Sequence, residues 1–150
     1  MSLRQQIQHP IESRTEFLED GKDKYMFCGV PDANVLSESI LLLPEQRATL
    51  ATHWTAVTGF QVSPDIVKHI VIVHKTLQPK TWDPDKEEWV DETPYDVTEI
   101  ATLACKKGPL FLRMLVPAFK VLGLSEDEAS SVSTFDQVAS GNSEGSVPTS

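Results

Sequence analysis

Residues 109–122 constrain this chain more than any other stretch, because their apolar side chains run most of the way round a helix. Leu110, Phe111, Leu112, Met114, Leu115, Val116, Ala118, Phe119, Val121 and Leu122 are apolar, and only Arg113, Pro117 and Lys120 interrupt them after the opening proline. Spaced four and three apart, those three form one narrow stripe, with the proline on the side that bends toward solvent. A helix of this kind is either central to a core or covered by another chain. Pro109 suits its first turn, and Gly123 with Leu124 predicts a Schellman end in which Leu124 folds back on the last turn.

The preceding residues carry helix punctuation of the same legible sort. Asp32 predicts the cap of a helix bearing Val35, Leu36, Ile40 and Leu43, ended by Pro44. Pro44 opens a second helix over 44–58, its apolar side formed by Leu50, Trp54 and Val57 and its end marked by Gly59. Ser63, Pro64 and Asp65 place a cap, a first-turn proline and a dipole-favoured carboxylate in order, so 66–77 reads as helix. The β-branched run 70–73 offers a buried strand as the rival there. Asp96 with Glu99 forms a capping-box start for a helix carrying Ile100, Leu103 and Ala104, stopped by Gly108.

Strand signals are fewer. Arg14, Phe17 and Leu18 lead to Asp20-Gly21 and on to Tyr25, Met26 and Phe27, and Asp-Gly between two such runs supplies the positive φ angles of a tight hairpin. Residues 78–95 read as a long acidic loop that has room for a small hairpin pairing Trp82 and Trp89 within it. The expected fold class is therefore mainly α: a compact helical domain over 1–124 with a small N-terminal β-hairpin, followed by an acidic Ser/Gly-rich tail over 125–150 that is largely disordered.

Charge narrows the partners. The formal net charge is −9, concentrated in residues 78–96, where seven acids face two lysines, and in 125–150, where five acids face no Lys or Arg. Such segments repel phosphate, and no basic cluster richer than Lys106-Lys107 exists to release counterions from nucleic acid. Cys28 and Cys105 lie far apart without a CxxC partner, which suits two small hydrophobes in a reducing, cytoplasmic setting. The opening residues lack the charged and apolar regions of a signal peptide, and the longest uncharged apolar runs, 40–43 and 70–73, are too short to span a membrane.

Reactive constellations fail on spacing. His69 and His74 are five apart and point to different helix faces, whereas a zinc pair wants four. Asp83, Asp85, Glu87 and Asp91 alternate like a calcium loop until Glu88 stands where glycine is required and Pro94 where a bidentate acid is required. No phosphate-binding glycine loop, nucleophile elbow or local Cys–His pair appears. The expectation is no enzyme, no metal and no cofactor, but a protein that binds protein. The candidate contact residues are Leu110, Phe111, Met114, Leu115 and Phe119, together with Trp82 and Trp89, which serve either as exposed anchors or as a cover over one edge of the core.

Three pieces in order, the opening at residues 1–7, the 70–73 helix followed by an acidic loop and a capped helix, and the Leu/Phe-rich helix ending in 121–128, resemble the tail assembly chaperones of long-tailed bacteriophages. That resemblance implies a protein of the host cytoplasm that coats the tape measure protein, keeps its apolar helices dissolved and is missing from the finished particle. It implies no catalytic residue, since the family works through surfaces, and it leaves homo-oligomerisation open. The long Trp82 to Trp89 segment departs from the family's pattern. A virion component, such as a head–tail connector or tail-completion protein, is the alternative.

Overall fold

A computed structural model describes residues 2–10 and 12–124, so the expected tail over 125–150 lies outside the described residues. The first described helix is α1 (Leu3–Gln8), opened by a reciprocal Ser2/Gln5 capping box. The hairpin β1 (Arg14–Asp20) and β2 (Asp23–Gly29) follows, with Gly21 at φ +65° in its turn, as the Asp-Gly pair requires. Then come α2 (Ala33–Ser37), α3 (Pro44–Thr58), a 3₁₀ turn at Pro64–Ile66 and α4 (Val67–Thr76). A second hairpin, β3 (Lys80–Asp83) and β4 (Glu88–Asp91), precedes α5 (Val97–Lys106) and α6 (Gly108–Val121).

Helix makes up 52% and strand 19% of the described residues, with the strands in two antiparallel hairpins, so the class is mixed α/β and the mainly-α expectation is corrected. The cause lies in residues 80–91. Density in acids and prolines suggests a loop, yet Lys80, Trp82, Trp89 and Asp91 fall on one side of the ladder, where Trp82 pairs with Trp89 and Lys80 with Asp91. Pro79, Pro84 and Pro94 sit outside the strands, where no ladder donor is lost. The Asp83 carboxylate accepts the Asp85 and Lys86 amides and closes the turn, while Glu87 adopts φ +52°. That left-handed conformation is unfavourable for any residue with a Cβ, so Glu87→Gly should raise stability by about 0.5–1 kcal/mol, read as a shift in urea midpoint at unchanged slope.

The core forms around α4, whose Val67, Ile70, Ile72 and Val73 are buried and which packs against α3, α5, α6 and β2. The helical reading for 70–73 therefore holds over its strand rival: Ser63 Oγ accepts the Asp65 amide, Pro64 starts the turn, and Ile70, Ile72 and Val73 are buried on a helix. Past α4 the chain is stitched to the first hairpin. Leu77 bridges Phe27, and the Gln78 amide donates to the Met26 carbonyl at 2.9 Å. At the other end of β2, Gly29 lets α6 approach closely, since a methyl there would stand 3.0 Å from Val121 Cγ2.

Several faces and ends differ from the periodicity. α2 stops at Ser37, because the buried Ser39 hydroxyl donates to the Val35 and Leu36 carbonyls and turns the chain before Pro44. On α3 the inward residues are Arg47, Ala51 and Trp54, with Val57 exposed. The Arg47 guanidinium reaches the interior by donating to the Leu42 carbonyl at 2.8 Å. α5 starts as expected: Asp96 accepts the Thr98 amide and Glu99 accepts the Asp96 amide. Hydrogen bonds from the Thr98 hydroxyl and amide hold the Asp96 carboxyl below the ordinary carboxylate range. α6 ends in the expected Schellman pair, Leu124 to Phe119 and Gly123 to Lys120, with Gly123 at φ +80°.

Candidate protein-docking surfaces

α6 divides the residues expected to contact a partner. Phe111 and Met114, 3% and 1% exposed, lie in the core, so they present nothing to another molecule in this fold. Leu110, Leu115 and Phe119 are partly buried against that core, and the His69 ring meets Phe119 edge-on. Pro117, expected on the solvent side, is buried. The outer stripe is instead Leu112, Arg113, Val116 and Lys120, rotated by one position from the Arg113, Pro117 and Lys120 line. The rotation follows from packing on two sides: α4 and α5 cover one flank, and β1 and β2 cover another. Arg113 anchors the second contact by donating to the Asp20 carboxylate at 2.9 Å.

Two apolar side chains remain uncovered on that stripe. Leu112 is 63% exposed and Val116 39%, and a spacing of four sets them one helical turn apart on the same face. Neither was singled out by sequence, although the i, i+4 pair was visible there. Only the neighbours of α6 reveal which apolar pair is left over.

The second surface lies on the outward side of the hairpins. Alternation in β1 turns Leu18 toward the core and Phe17 away from it, leaving Phe17 48% exposed. Trp89 stacks against Phe17 with ring centroids 5.9 Å apart, and Trp82 meets Trp89 edge-on at 5.2 Å. Both tryptophans are half-buried, and these three rings stand apart from the main core. Trp82 and Trp89 are thus brought together, while the α6 residues named with them belong to other surroundings. Phe17 and Lys24, which complete this cluster, were legible only as members of a hairpin.

The reactive groups are dispersed. His74 Nε2 donates to the Tyr95 carbonyl at 2.9 Å, whereas His69 turns to Phe119. Asp91, Glu92, Tyr95 and Glu99 line an open groove of about 700 Å³, and burial followed by the Glu92 charge raises the Tyr95 phenol above its ordinary value. Among the described residues no group of three or more His, Cys, Asp or Glu is placed to hold a metal ion, and Cys28 and Cys105 are free thiols. No helix among them is long and apolar enough to cross a membrane. Comparison with protein-family models, curated proteins and solved structures found no match.

Proposed function

We propose that this chain is a non-catalytic assembly factor that holds an apolar helix of another protein, specifically a tail assembly chaperone for the tape measure protein of a long-tailed phage, acting in the host cytoplasm. The Leu112 and Val116 pair carries the reading. Two apolar side chains one turn apart on the outer face of a well-anchored helix match the i, i+4 spacing by which an amphipathic helix is received. On α1, Leu3 and Ile7 are exposed at the same spacing and add a second strip. The acidity of the chain suits a factor that must stay dissolved beside apolar cargo.

Co-expression with a long helical tape measure protein and recovery through that partner tests the reading. Leu112→Asp combined with Val116→Asp should reduce recovery at least about tenfold while changing stability little, because both side chains already face water. Undiminished recovery by the folded double variant would remove α6 from the interface. The open outer edge of β4 favours a second reading, a virion component joined by strand pairing. Mass spectrometry of purified particles separates the two, since a connector stays in the particle and a chaperone leaves it.

A further inference from the structure

Lys24 lies in an aromatic cage. Its ammonium stands 4.7 Å from the Trp82 ring centroid and 5.1 Å from that of Phe17, and Trp89 joins the two rings by stacking on one and meeting the edge of the other. Faces of aromatic rings attract cations through their quadrupole, and rings converging on one ammonium are how proteins select an alkylammonium from solution. Among the described residues no ion pair involves this ammonium, and its aromatic contacts are the Trp82 and Phe17 rings. Such a contact is weak while water reaches the lysine, and a flexible four-carbon stem lets the head swing out.

The surroundings favour an incoming cation. Glu19 is the cross-strand neighbour of Lys24, Asp91 shares the tryptophans' side of the second ladder, and the adjacent Asp83 and Glu88 pair lies on its opposite side. Residues 80–92 carry six acids against two lysines, and Lys80 is already neutralised by Asp91 at 2.5 Å. An acidic field around partly exposed rings draws in a basic side chain and repels an anionic one.

We propose that Phe17, Trp82 and Trp89 form a recognition site for a lysine or arginine side chain of a partner protein, and that Lys24 fills the cage until the partner's cation replaces it. The proposal rests on the reading of this chain as one that docks protein, and it names what the partner must present: a basic residue beside its apolar helix. Lys24 is then a competitor built into the site, which lowers the apparent affinity for a foreign cation by the fraction of time the cage is occupied.

The probe is tetramethylammonium, titrated into the full chain at constant ionic strength against sodium, with indole N–H resonances as readout. The signal of the buried Trp54 serves as internal reference. Lys24→Ala should bind tetramethylammonium about five to ten times more tightly than the unaltered chain, as expected if Lys24 fills the cage most of the time. Adding Phe17→Ala should abolish the Trp82 and Trp89 shifts. Lys24→Gln keeps the length of the stem without the charge, and should reproduce the gain if truncation disturbs the hairpin. Equal affinity with and without the Lys24 charge, shifts surviving Phe17→Ala, or matching shifts in sodium chloride would each overturn the proposal. A silent cage alongside Leu112/Val116-dependent partner recovery sinks the cage alone. Recovery indifferent to Leu112 and Val116, with the cage still binding cations, sinks the chaperone interface and not the cage.

Discussion

Phe111→Asp should abolish the folded body rather than merely its binding. The ring is 3% exposed in the first turn of α6, where it packs in the core. Removing a buried phenylalanine side chain costs about 3–5 kcal/mol, and a carboxylate left in its place adds the penalty of an unpaired buried charge, several kcal/mol more. A domain of this size has roughly 5–15 kcal/mol in total, so the sum reaches or exceeds what is available. Urea titration followed by tryptophan emission should show no cooperative transition for this variant. Leu112→Asp, one residue along and facing water, should stay within about 0.5 kcal/mol of the unaltered chain. A wild-type midpoint for Phe111→Asp would mean that α6 is turned the other way in solution and shows its Phe111 face to a partner.

A truncation in the first hairpin should cost nearly as much. Phe27 is fully buried and is the sole residue of β1 and β2 in that class, with Leu77 bridged to it across the chain leaving α4. It is therefore the pin between the hairpin and the helices. Phe27→Ala should destabilise the body by about 3–5 kcal/mol, a fall in melting temperature of roughly 10–20 °C. The loss should also be visible locally by hydrogen exchange. The Gln78 amide, bonded to the Met26 carbonyl, should lose protection with the hairpin, since that bond depends on the strand being held. A melting temperature within a few degrees of the unaltered protein would show that the hairpin is secured elsewhere.

What could be read in advance divides along the range of the interactions involved. Caps and turns declare themselves over three or four residues, which is why Asp96 with Glu99, Ser63 with Pro64, the Asp20-Gly21 turn and the Gly123 end all stand where their chemistry puts them. The second hairpin was harder, because its strands have only four residues each and its tip is crowded with acids that resemble loop composition. Its stabilising feature, the Trp82/Trp89 pair, becomes a strand signal only when two segments are aligned in antiparallel register.

The candidate surfaces separate in the same way. That 109–122 had too many apolar residues for a solvent-facing helix was evident from their number, and so was the presence of two tryptophans in an acidic segment. Which of those side chains stay in view was not. α6 is contacted from two sides, by α4 with α5 and by the first hairpin, and those contacts bury Phe111, Met114 and even Pro117 while leaving Leu112 and Val116 outside. Likewise Phe17 and Lys24 meet Trp82 and Trp89 only because the second hairpin settles on the outward side of the first. Helix starts, helix ends and one turn follow from local hydrogen bonding and backbone sterics, which a single stretch of chain carries within itself. The choice of buried face depends on partners far away along the chain, and so belongs to the tertiary structure alone.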